Sequence, residues 1–222
     1  MRSRNLVWLL SVLGAAVAAL SSGCTAKGPE AMAPIPCYLE SPGVMATVGR
    51  AVLVEPPSDP ATATVARDLA QSMVRAMAAR QIFQVDLATL GEAGLEESVL
   101  DGRHTVTLEQ MKAMRSAFRT DVVILANLTE FHPYPRMRMG LRLRMIDLRS
   151  GQLIWSVDHV WDGTQEATAR RIQQYHTTRT PGLSDPLEWR VALVSPKAFG
   201  EFVAADVAGT LGPTAVAARR SR

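Results

Sequence analysis

The sequence predicts an α/β domain, with one mixed β-sheet of about five strands and helices packed on it, preceded by a signal peptide and a flexible tether. Three observations predict it. Apolar residues recur every four positions over 62–80, apolar residues alternate strictly over 136–145, and segments of the two periods follow one another along the chain. The composition agrees, because 47% apolar and 20% charged residues in 222 supply a packed core and exclude a disordered or collagen-like chain.

Residues 1–23 read as a secretory leader, with Arg2 and Arg4 ahead of an apolar run over 6–20 and small residues Ser21, Ser22 and Gly23 before Cys24. The run is short for a membrane span, which needs roughly 20 residues. Leu20-Ser21-Ser22-Gly23-Cys24 resembles the bacterial lipoprotein signal, although the commonest form has Leu where Ser21 stands. That resemblance implies diacylation of the Cys24 sulfur (palmitate) and a membrane anchor, since each buried methylene contributes about 0.8 kcal/mol. Thr25, where an Asp would resemble an inner-membrane retention signal, implies the outer membrane with the domain at its periplasmic face. The alternative is an ordinary leader cut after Gly23, leaving Cys24 to pair with Cys37. With Cys24 acylated, Cys37 is an odd thiol, either buried and inert or paired between molecules.

The net charge of +3 becomes −2 once Arg2, Arg4, Arg219, Arg220 and Arg222 at the two ends are set aside, so no nucleic-acid partner is expected. The mature chain divides into a tether over 24–45, a domain over 46–211 and a disordered basic tail over 212–222. The tether rests on Gly28, Pro29, Pro34, Pro36, Pro42 and Gly43 without an apolar period.

Within the domain, 51–54 is a short apolar strand closed by Glu55-Pro56-Pro57. The helix at 62–80 carries Val65, Leu69, Met73 and Met77 on one stripe. A second short strand falls at 82–87, and the glycine-containing stretch 91–103 is a connection. Thr107-Leu108-Glu109-Gln110 fits a capping box opening a helix with Met111, Met114 and Phe118, whose methionines read as core. Residues 121–131, rich in Val, Ile and Leu, form a strand buried on both faces, ended by His132-Pro133-Tyr134-Pro135.

The next strand is the clearest. Met137, Met139, Leu141, Leu143 and Met145 alternate with Arg136, Arg138, Gly140, Arg142 and Arg144, so one face is apolar and the other carries four arginines. A turn at 147–152 and a return strand over 153–161 complete a hairpin, with Gly151 suited to positive φ. A short helix over 163–175, an irregular stretch over 177–187 and a last helix follow. The last helix opens at Ser195-Pro196, carries Phe199, Phe202, Val203 and Val207, and stops at Gly212-Pro213.

In the run from Leu141 to Ser156, a hydrophobic strand ends in Asp147, Ser150 precedes Gly151 in the turn, and Trp155 sits on the return strand. This pattern resembles the CsgG, LpoB and TolB N-terminal-domain superfamily of periplasmic lipoproteins, and 121–126 resembles its central strand. The resemblance covers about 46–211 and rests on structural motifs. It implies a lipid-anchored periplasmic binding or accessory protein for a cell-envelope machine, with a protein partner and an option of homo-oligomers. An oligomeric outer-membrane secretion channel of the curli-secretion type is the alternative. Against that alternative, only 136–145 alternates over the roughly 9–11 residues that a spanning strand needs.

An uncharacterised periplasmic enzyme is the third reading, and the chain gives it little. Asp158 and His159 point to opposite faces of one strand, His104, His132, His159 and His176 lack ligand spacing, and no glycine-rich phosphate loop is present. No catalytic residue, cofactor or metal is expected. The sharper feature is the arginine row Arg136, Arg138, Arg142 and Arg144, either a solvated face or a docking surface for a carboxylate-rich partner or polyanionic envelope material. Glu130 and Asp158 on neighbouring strands are placed to neutralise part of it.

Overall fold

The computed structural model describes residues 34–41, 43–102, 104–179 and 188–212. The expected leader at 1–23, Cys24 and residues 213–222 of the expected basic tail therefore lie outside the described residues. A six-stranded mixed sheet runs in the order β1-β6-β5-β4-β2-β3, one strand more than expected. The strands are β1 (Cys37–Leu39), β2 (Arg50–Val54), β3 (Gln84–Ala88), β4 (Val122–His132), β5 (Arg138–Asp147) and β6 (Leu153–Asp162). The β4-β5-β6-β1 side is antiparallel, whereas β2 is parallel to both β3 and β4.

The extra strand corrects the tether. Residues 37–39 pair with 155–157 at the outer edge of β6, Ile35 is buried, and a helical turn α1 (Val44–Thr47) follows with Met45 buried. An edge strand needs hydrogen bonds on one side only, so Pro34 and Pro36 ahead of β1 do not prevent it. Proline density marked the segment as irregular, but a three-residue strand has no room to show a period.

Helices cover the sheet on both faces. On one lie α2 (Ala63–Ala78), α6 (Glu166–Arg179), α7 (Glu188–Ala192) and α8 (Pro196–Ala208), and on the other α3 (Leu90–Ala93), α4 (Glu97–Leu100) and α5 (Leu108–Phe118). β4 shows the division residue by residue, since Ile124 and Ala126 belong to the first core and Val123 and Leu125 to the second. On β5, Met139, Leu141, Leu143 and Met145 are fully buried in the first core with Phe199, Phe202 and Val203 of α8. The period-two pattern thus selects the face that the helices cover.

Local signals act as the sequence implies. Thr107 accepts from the Gln110 amide at 3.2 Å and the Gln110 side chain accepts from the Thr107 amide at 2.9 Å. Ser195 caps α8 through the Ala198 amide at 3.3 Å. In α5 only Met114 is fully buried, while Leu108 at the first turn is 58% exposed.

The connection 91–103 holds α3 and α4 instead of coil. A second capping box starts α3, with the Thr89 hydroxyl accepting from the Glu92 amide at 3.3 Å and the Glu92 carboxylate accepting from the Thr89 amide at 2.8 Å. Gly94, at φ +63°, ends it. α6 begins at Glu166, three residues later than expected, because Gly163 passes against β5: its amide donates to the Met137 carbonyl at 2.8 Å, and a Cβ there would lie 2.9 Å from that oxygen. α6 also continues through Thr177 to Arg179, where irregular chain was expected, and 180–187 lie outside the described residues.

Candidate interaction surface

The arginine row begins from a strand whose apolar partners face the helices, so its alternate residues face the second layer. The structure does not assemble four equivalent arginines there. Arg136 lies in the bend before β5 and is exposed. Arg138 is the first residue of β5, opposite His132 and Asp162, and forms ion pairs with Glu130 at 2.9 Å and Asp162 at 3.6 Å. Asp162 is held below the ordinary carboxylate range, chiefly by the Thr164 hydroxyl and amide, with Arg138 adding to it.

Gly140 interrupts the row for a steric reason. The register of β4 against β5 shifts between Leu128 and Glu130, which brings Thr129 over Gly140; a Cβ at 140 would stand 2.5 Å from the Thr129 hydroxyl.

Arg142 and Arg144 have a different task. Arg142 pairs with Asp158 across the strands at 2.7 Å and donates to the Asp101 carbonyl at 3.1 Å. Arg144 donates through Nη2 to the Val99 carbonyl and to the Leu100 carbonyl at 3.3 Å. Those carbonyls belong to the last turn of α4, which has no later amide of its own helix to accept from. Two strand side chains therefore cap a helix C-terminus and complement its negative dipole end. Burial lowers the Arg144 pKa, with the like charge of Arg142 adding to the effect, yet an arginine stays protonated at neutral pH.

The hairpin motif is built as its residue types require. The Asp147 carboxylate accepts from the Arg149 amide at 2.8 Å and the Ser150 hydroxyl at 3.0 Å, and Gly151 takes φ +74° while its amide donates to the Asp147 carbonyl at 2.8 Å. Trp155 is fully buried, and its indole N–H donates to the Thr210 hydroxyl at 3.1 Å. Beside the turn, Asp121 takes Arg115 at 3.0 Å and Arg149, and the Arg149 hydrogen bond is the main cause of its lowered pKa. Cys37 is half-buried on β1.

No protein-family model matches this sequence, and no curated protein matches it. Solved structures overlay parts of the chain. A PelC dodecamer from Paraburkholderia phytofirmans is 13% identical, covering 58% of this chain and 80% of that one, with a TM-score of 0.38. Lipoprotein GNA1162 from Neisseria meningitidis is 18% identical, covering 50% and 81%, with a TM-score of 0.32. Hypothetical protein CT253 from Chlamydia trachomatis is 13% identical, covering 76% and 99%, with a TM-score of 0.41. Similarities of this size assign neither a family nor a function.

The chain pattern passed over one polar cluster. Asp206 of α8 accepts from the Trp161 indole N–H at 2.8 Å and from Arg171 Nε at 3.0 Å, with a second Arg171 contact, and the ion pair is only 16% and 13% exposed. Its signal was a lone carboxylate amid Ala204, Ala205 and Val207. His159 stacks edge-on against Trp161 at 4.8 Å, on the face opposite Asp158.

Burial lowers the His159 pKa, and Arg171 also lowers it while Asp206 and Asp158 raise it. A histidine depressed in the fold contributes stability that is complete above its unfolded pKa of about 6.5 and falls as pH drops toward its folded value. Denaturant midpoints should therefore fall from about pH 7.5 to about pH 5.5, and His159→Phe should flatten this slope. An unchanged slope in that variant would remove His159 as its source.

Proposed function

We propose that this protein is anchored by lipid at Cys24 to the periplasmic face of the bacterial outer membrane and works there by binding, as an accessory factor of an envelope machine. The observation that carries the reading is the N-terminal pattern of Arg2 and Arg4, an apolar run over 6–20, and Gly23-Cys24. Of the arginine row, Arg136 in the bend before β5 is exposed, and Arg138, 45% exposed, would exchange its Glu130 and Asp162 pairs for a carboxylate-rich partner, while Arg142 and Arg144 hold α4.

The experiment is metabolic labelling followed by crosslinking in native membranes. Palmitate should enter the wild-type protein and not Cys24→Ser, which should also leave the membrane fraction. Crosslinking should join one distinct second protein, and Arg136→Glu with Arg138→Glu should weaken that adduct, with Arg136→Glu alone leaving the unfolding midpoint unchanged. A label retained in Cys24→Ser sinks the anchor. A regular ladder of self-adducts replaces the accessory factor with a ring or channel, and an adduct indifferent to both charge reversals removes the docking role.

A further inference from the structure

An open cleft of about 400 Å³ lies between α2, α6 and α8, on the helical layer remote from the arginine row. Its walls carry three guanidinium groups, Arg75 from α2, Arg80 from the turn after α2 and Arg179 from α6, against a single carboxylate, Glu201 of α8. Among the described residues none of these arginines has a carboxylate partner: Arg75 donates to the Ser72 hydroxyl at 2.9 Å, and Arg179 contacts the Tyr175 hydroxyl and lies 5.2 Å from that ring's centroid. Other arginines carry carboxylates, as Arg50 with Asp86, Arg142 with Asp158 and Arg171 with Asp206 show, whereas these three share the lining of one cleft without one.

The hollow exists because the packed helices present small side chains to it, Ala76 from α2 and Ala205 from α8 among them. Its wall is amphipathic, with the half-buried Tyr175 and the Ser72 hydroxyl both among its lining. Burial raises the Tyr175 pKa, so the phenol stays neutral and able to donate. We propose that this cleft binds a phosphate group carried on a small organic body. Three guanidinium groups offer more N–H donors than the two oxygens of one carboxylate can use, whereas a phosphate monoester presents three terminal oxygens. The alanine and tyrosine surfaces then take the apolar part of the ligand.

The group has two sources, a soluble organic phosphate or the headgroup of a phospholipid. Glycerol 3-phosphate is titrated by calorimetry into the full chain carrying Cys24→Ser, so that no acyl anchor contributes, and flotation of the same protein is measured with phosphatidylglycerol and with phosphatidylcholine vesicles. Saturable glycerol phosphate binding, weakened at least about tenfold in Arg75→Gln/Arg179→Gln, supports a soluble ligand. Flotation with phosphatidylglycerol that the same variant loses, without binding of the free ester, supports a headgroup. Glu201→Gln should tighten either interaction several-fold, which keeps the test decisive if the double variant folds poorly. Absence of both interactions, binding indifferent to these substitutions, or tighter binding of citrate than of glycerol 3-phosphate overturns the proposal.

Discussion

Replacing Asp206 with alanine should lower the stability of the domain by about 3–5 kcal/mol, the cost expected when one partner is removed from a buried ion pair. The carboxylate accepts from Trp161 and Arg171 together, so one substitution orphans the indole N–H of a fully buried tryptophan and takes from Arg171 its main counter-charge. It also unties α8 from both β6 and α6. The check is equilibrium denaturation, where a fall in Tm on the order of 10 °C is expected for a domain of this size. Asp206→Asn, which keeps an acceptor for Trp161 but loses the charge, should fall between wild type and alanine. Equal stability of Asp206→Ala and wild type would mean that the cluster contributes nothing to the fold.

The second large effect belongs to Arg144. Arg144→Ala should cost about 2 kcal/mol, because charge-assisted hydrogen bonds to the Val99 and Leu100 carbonyls are lost and those carbonyls keep no substitute within α4. The loss should be local. Hydrogen exchange should speed up over 97–102 while amides of β4 and β5 remain protected, since the first core on the opposite face of the sheet is untouched. Arg138→Ala is the internal comparison, expected to cost less than about 1 kcal/mol because the Arg138 side chain is itself 45% exposed. Equal effects of the two substitutions, or uniform exchange changes across the domain, would contradict the capping role.

These two residues separate what was legible in the chain from what was not. Arg144 was visible as a member of an alternating strand, and its face was correctly assigned. Its partner was not visible, because the atoms it serves are backbone carbonyls 44 and 45 positions earlier, which have no side-chain signature. Asp206 was similarly anonymous in an apolar helix, and the residues it binds lie 35 and 45 positions away. The proposed leader and Cys24 anchor rest on sequence pattern alone.

What the sequence by itself determined were the elements whose causes are local. The β5–β6 hairpin follows from a period of two and a turn of Asp147, Ser150 and Gly151. The starts of α5 and α8 follow from cap hydroxyls three residues before the amides that donate to them, and α2 from its four-residue stripe. Tertiary structure decided the rest: β1 at the sheet edge, the helical turns of 90–100, and the conversion of a row of arginines into a helix cap beside three cross-strand ion pairs. The physical reason is common to all three. A backbone hydrogen bond or a buried charge is satisfied by whichever group the fold brings within about 3 Å, and that proximity arises only when the layers pack.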